Sequence, residues 1–185
     1  MDNFSFLTEN NACFLIIDIQ EKLLNAVFNK EVVEKKASVL VKALSILEIP
    51  TIVTEQYPQG LGETVASLKE NLKDQTSFYI KTDFSALNNE NLCNELKQLG
   101  RKNVVLMGIE THICVYQTAL TLLQNGYDVT IVSDACGSRT AEEYHGGLIT
   151  MKEYGAKIKS TEMILFELLK TARHPKFKEI QSLIK

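Results

Sequence analysis

The chain has 185 residues, 45% of them hydrophobic and 23% charged, a composition suited to a water-soluble globular protein able to bury a core without disulfides or metal. Its net charge of −3 argues against a nucleic-acid-binding surface, which is normally basic, and gives an anionic membrane nothing to attract. No apolar run approaches the ~18 residues of a membrane-spanning helix, and this length predicts a single domain over residues 1–185.

The opening stretch, MDNFSFLTENN, has no basic segment followed by an apolar one and no arginine. It therefore reads as neither a secretory signal nor a transit peptide, and a cytoplasmic location is expected. Ala12 to Ile17 is a continuous apolar run ending at Asp18, as in a central parallel strand. A long helical region follows. Leu23, Leu24 and Val27 start its apolar face, and Val32, Val33, Val39, Leu40, Ala43, Leu44 and Leu47 continue at three- and four-residue steps. Pro50 closes it, and Thr51–Thr54 reads as the second strand. The loop Glu55 to Gly62 carries a proline and two glycines and is expected to be irregular. A short helix over Thr64–Leu72 comes next.

Ser77–Ile80 reads as a third strand with Lys81 at its end, and Asn91–Leu99 as a helix stopped by Gly100. Val104–Met107 has the apolar character of a fourth buried strand, which Gly108 is expected to break. A helix pattern then runs from near Thr111 to Gln124, with Cys114 in its first turn. Tyr127–Val132 is a fifth strand followed by turn-type residues Ser133–Ser138, which include Cys136. Thr140–Tyr154 reads as a helix, Ala156–Lys159 as a sixth strand and Thr161–Lys170 as another helix. The tail from His174 carries a Phe177/Ile180/Ile184 stripe, as a last helix packed on the domain or on a second subunit. Alternating strands and helices predict a doubly wound, Rossmann-like α/β fold, with a mostly parallel six-stranded sheet and helices on both faces.

The four cysteines form no C-x-x-C pair and are scattered along the chain, as in a reduced, intracellular protein. His112, His145 and His174 have no zinc-type spacing. In an open α/β sheet, ligands bind outside the carboxyl ends of the strands. Asp18, Lys81 and Cys114 all fall on that edge. Singly, Asp18 could cap a helix, Lys81 could be a solvated loop lysine, and Cys114 could be a small buried hydrophobe. Together they supply the base, cation and nucleophile of covalent catalysis by cysteine.

Five segments carry a family resemblance: LIIDIQEKLL (Leu15–Leu24), VTEQYPQGLG (Val53–Gly62), KTDFSAL (Lys81–Leu87), GIETHICVYQTA (Gly108–Ala119) and VSDACGSR (Val132–Arg139). In this order the sequence resembles the isochorismatase-like cysteine hydrolase superfamily. The EQYPQGLG loop and the LFELL…HPKFKEIQ tail are most similar to the isochorismatase domain-containing hydrolases. The resemblance implies a catalytic triad of Asp18, Lys81 and Cys114, a non-proline cis peptide between Ile109 and Glu110, and a homo-oligomer, dimer or larger. True isochorismatases have glycine at the nucleophile position, so Cys114 separates this chain from their reaction. Nicotinamidases of the superfamily carry an Asp-x-His-x-x-His metal motif in the loop after the second strand. Here Glu55–Gly60 has no histidine, so neither metal nor cofactor is implied.

The chemistry expected is cleavage of a small amide or other non-peptide C–N bond. The oxyanion would meet the backbone N–H groups of Cys114 and Glu110. Lys81 and the helix terminus are expected to hold the Cys114 thiol near neutrality. Gln20, Gln56, Tyr57, Phe84 and His112 are candidate substrate-binding residues; surface hydrogen bonding or, for Phe84, core packing is the alternative for each. The partner expected is a small molecule, with no nucleic acid and no membrane. Two other functions keep the same fold: a binding or scaffold protein, and an RNA-associated role that the acidic balance opposes.

Overall fold

The computed structural model describes residues 5–185, so the first four residues of the MDNFSFLTENN stretch lie outside it. The strands are β1 (Ala12–Ile17), β2 (Thr51–Gln56), β3 (Ser77–Lys81), β4 (Asn103–Ile109), β5 (Asp128–Gly137) and β6 (Lys157–Lys159). They form one six-stranded sheet in the order β3-β2-β1-β4-β5-β6. Every neighbouring pair is parallel, so the sheet is wholly rather than mostly parallel. The helices are α1 (Glu21–Ala26), α2 (Lys30–Ile46), α3 (Pro58–Leu61), α4 (Ala66–Lys69), α5 (Glu90–Leu99), α6 (Tyr116–Gln124), α7 (Ala141–Glu153), α8 (Thr161–Leu169) and α9 (Phe177–Ser182).

Both faces of the sheet are covered, which is why the central strands are apolar without a polar alternate. Along β1, Phe14 and Ile16 join Val53, Val105 and Met107 in a core with α2 and α8. The intervening Cys13, Leu15 and Ile17 join Ile52, Val104 and Leu106 in a second core with α5, α6 and α7. The two-residue period of the strand sorts neighbours to opposite faces. On α2, Val33, Ala37, Leu40, Val41 and Leu44 bury one side at three- and four-residue steps.

Several boundaries differ from the sequence expectation. The long helical region is two helices, separated at Val27–Asn29. Part of the irregular Glu55–Gly62 loop coils into α3, and the helix after it shortens to α4. Gly108 does not break β4. Its φ is +146, and a Cβ there would lie 2.1 Å from the Ile17 carbonyl oxygen. The glycine lets β4 run against β1 to its end. The helix expected from Thr111 starts as a π turn, Thr111–Val115, before α6.

β5 likewise runs on through the expected turn to Gly137, and Cys136 is buried in it. Its polar residues have strand-compatible partners. Asp134 Oδ1 accepts from Thr161 N (2.7 Å) and Thr161 Oγ1 (2.8 Å) at the start of α8, and Ser133 Oγ donates to Lys159 O at 3.3 Å. The tail stripe packs on its own chain: Ile180 is buried in the α2–α8 core, with Phe177 and Ile184 against it. Among the described residues no helix is long and apolar enough to cross a membrane.

Candidate active site

The strand order changes direction between β1 and β4, which opens a crevice at their carboxyl ends. Asp18 follows β1, Lys81 ends β3, and Cys114 lies in the π turn after β4. Lys81 Nζ is 2.6 Å from Asp18 Oδ2, with side chains 3% and 0% exposed. Asp18 has a φ of +50, an uncommon conformation for a residue with a Cβ. Its backbone is tied on both sides: its N–H donates to Thr54 O (3.2 Å), and its carbonyl accepts from Gln20 N (2.9 Å). Thr54 Oγ1 donates to Asp18 Oδ1 at 2.7 Å. The Cys114 thiol interacts with both Asp18 and Lys81. The Ile109–Glu110 peptide is cis, and Glu110 O accepts from Ile113 N (3.1 Å) and Val115 N (3.2 Å) to start the π turn.

Burial governs the ionisation of this cluster. Desolvation raises Asp18 above the usual carboxylate range, against the opposing pull of Lys81 and the hydrogen bonds from Lys81, Thr54 and Cys114. Burial pushes the Cys114 thiol up to about 12, and the Asp18 charge adds to the rise while Lys81 opposes it. The expected near-neutral thiol is therefore not what the structure gives. Lys81 is shared with a carboxylate, and the thiol has lost its water. The cluster thus sets the Asp18 carboxyl and the Lys81 side chain 2.6 Å apart beside a thiol that burial keeps protonated.

The five expected substrate contacts divide. The Gln20 side chain is buried and engaged with backbone: Nε2 donates to Gln56 O (3.0 Å) and Gly62 O (2.6 Å), and Oε1 accepts from Gln56 N (2.7 Å). Gln56 Oε1 accepts from Lys81 Nζ (2.6 Å), and its Nε2 donates to Thr82 O (2.8 Å). His112 Nδ1 pairs with Ser138 Oγ at 3.0 Å, and Nε2 lies 3.7 Å from Glu143 Oε2. Polar atoms of all three side chains are thus engaged with the protein. Tyr57 and Phe84 are 55% and 52% exposed, so Phe84 is not core packing. The Tyr57 ring lies over Gly60, where a Cβ would come within 2.3 Å of it.

Sequence reasoning missed Thr54, although it is the last residue of the predicted second strand and so on the same edge. It also missed the Glu110–Arg139 pair, in which Arg139 N and Nε donate to Glu110 Oε2 at 3.2 and 2.9 Å. Near the end of β2, Glu55 accepts from Thr64 N (2.7 Å) and Thr64 Oγ1 (2.8 Å). Among the described residues no three histidine, cysteine or acidic side chains gather as metal ligands would. A cleft of about 270 Å³ lies by the start of β2, lined by Val41, Glu48, Thr51, Asn71, Thr76 and Leu99. None of Asp18, Lys81 and Cys114 lines it.

The isochorismatase domain matches residues 12–163. The chain is 42% identical over 180 residues to isochorismatase domain-containing protein 2 of Xenopus laevis, covering 96% of this chain and 85% of that protein. The MAR1 ribonuclease structure from Caenorhabditis elegans superposes with a TM-score of 0.93 at 39% identity, covering 97% of this chain and 92% of that one. YcaC from Pseudomonas aeruginosa, solved with hexane-2,5-diol and covalent acrylamide, gives a TM-score of 0.92 at 26% identity, covering 99% and 93%. Fold and sequence together define an isochorismatase-like hydrolase. The chain belongs to the isochorismatase family.

Proposed function

We propose that this protein is a metal-independent cysteine hydrolase that cleaves a small amide or other non-peptide C–N bond through an acyl-enzyme on Cys114. The observation that carries this reading is the buried Asp18–Lys81 pair at 2.6 Å with the Cys114 thiol against it. Asp18, raised by burial, is a stronger base than an exposed carboxylate. It takes the thiol proton as the sulfur attacks the carbonyl carbon, so the thiolate need not accumulate at rest. Lys81 offsets the negative charge passed among these groups. The backbone N–H groups of Glu110 and Cys114 receive the oxyanion. Asp18 then returns the proton to the leaving nitrogen, and the C–N bond breaks to release the amine. Water, deprotonated by Asp18, attacks the thioester; the carboxylic acid leaves and the Cys114 thiol is restored.

The covalent acrylamide in the YcaC structure supports capture of a small electrophile by a protein of this fold. The name of the MAR1 structure favours a second reading, a ribonuclease. The net charge of −3 favours the small-molecule reading, because nucleic-acid affinity draws on lysine and arginine contacts to phosphate. A panel of small amides assayed for amine release, with wild type and Cys114→Ala in parallel, tests the proposal. Turnover lost in the variant supports it. Turnover retained in the variant, or RNA cleavage with no amide turnover, overturns it.

A further inference from the structure

Gln56 links the loop after β2 to the lysine of the cluster. It stands opposite Lys81 in the β2–β3 register. Its side chain joins two groups on the other strand's exit, with Oε1 on Lys81 Nζ at 2.6 Å and Nε2 on Thr82 O at 2.8 Å. Its backbone is held as firmly. The Gln20 amide accepts from Gln56 N at 2.7 Å and donates to Gln56 O at 3.0 Å. Gln20 is itself fully buried and bonded to Gly62 O at 2.6 Å. A chain of contacts thus runs from the loop through Gln20 and Gln56 to the ammonium.

A lysine ammonium is a point charge on a flexible four-carbon stem, so its position is set by its acceptors. Asp18 Oδ2, Gln56 Oε1, Asp83 O (3.2 Å) and Phe84 O (3.3 Å) surround this one. Asp83 O and Phe84 O draw it toward the loop after β3, and Gln56 Oε1 binds it more closely from β2. We propose that Gln56 is a positioning residue, which holds the Lys81 ammonium at the Asp18–Cys114 contact through Oε1 while Gln20 anchors the Gln56 backbone.

The inference rests on the catalytic reading above. An amide suits this position better than a carboxylate. It offers a neutral acceptor, so it fixes the cation without adding negative charge to a buried group that already holds Asp18 and must accommodate sulfur as it ionises. Glutamate here would pair with the ammonium a second time and oppose thiolate formation. Methionine would fill similar space and leave the ammonium without its closest neutral acceptor.

The test follows iodoacetamide modification of Cys114 against pH, by peptide mapping, in wild type, Gln56→Met, Gln56→Glu and Lys81→Met, with thermal melting to confirm folding. It needs no substrate. Both Gln56 variants are expected to move the profile upward by about one pH unit, roughly tenfold slower at a fixed pH on the rising limb. If either fails to fold, Gln56→Asn, one methylene shorter, is expected to shift the profile less but in the same direction. Gln56 profiles that superimpose on wild type, or move to lower pH, overturn the positioning role even if Lys81→Met shifts upward. If Lys81→Met is unshifted too, the catalytic reading itself fails.

Discussion

Lys81 crosses the end of β2 to reach Asp18, and the two charges meet at 2.6 Å almost wholly out of water. The strand order creates this contact: β2 lies between β3 and β1, and Lys81 is the final residue of β3. A buried ion pair is weak evidence for stability, because desolvation offsets its Coulomb attraction. Its position against a thiol at the sheet's switch point makes function the better account of its presence.

Thr54 is the other fixed partner of Asp18. Its hydroxyl donates at 2.7 Å and holds the carboxyl down against burial. Thr54→Val removes that bond, so the Asp18 pKa rises further and the base is protonated over a wider range. For any amide that wild type turns over, the acid limb of the pH profile is expected to move to higher pH. Urea denaturation should show a loss of about 1–3 kcal/mol. An unmoved acid limb would contradict the role assigned to Asp18.

Much of the site was legible in the sequence because three reactive residues each follow an apolar strand, and strand ends in a doubly wound sheet share an edge. Their protein-directed neighbours were not. Gln20, Gln56 and His112 have the composition of pocket residues, and only the placement of β3 beside β2 and of Ser138 beside the π turn shows that their polar atoms are engaged. The thiol was misread for a related reason. A helix start and a lysine can be found by pattern, but the burial that outweighs them comes from long-range packing. β5 was shortened because Ser133 and Asp134 look like turn residues, whereas they bond to the β6–α8 connection.

Gly108 is the clearest steric prediction. A Cβ placed 2.1 Å from Ile17 O meets backbone, which cannot rotate away as a side chain would. Gly108→Ala is expected to cost about 3 kcal/mol or more, read from the urea midpoint, because β4 and β1 must separate at the sheet's centre. A midpoint equal to wild type would show that the strands part easily there.

Stability should fall on the alkaline side. Burial pushes Cys13, Cys114 and Cys136 each to about 12, well above the ~8.5 of a free thiol. Between those values the unfolded chain has released protons that the folded chain keeps. Each thiol's contribution is thus complete below about pH 8.5 and lost as pH rises toward its folded value, at about 1.4 kcal/mol per unit. Urea denaturation from pH 8.5 to 9.5 is expected to show this decline, with Cys13→Ala reducing the slope by about half a proton at pH 8.5 and nearly one at pH 9.5. A slope unchanged by Cys13→Ala would contradict the assignment.

The central claim is that Cys114 carries the acyl group, and the most direct measurement is its capture. Wild type turning over an amide from the panel is quenched in acid and mapped by mass spectrometry, alongside Cys114→Ala, Asp18→Asn and Lys81→Met. The account predicts a thioester on the Cys114 peptide in wild type, none in Cys114→Ala, and formation slowed at least tenfold in the other two, since general-base assistance alone is worth about 10²–10⁴-fold. An acyl group on another residue, or amine release by Cys114→Ala at the wild-type rate, would contradict it.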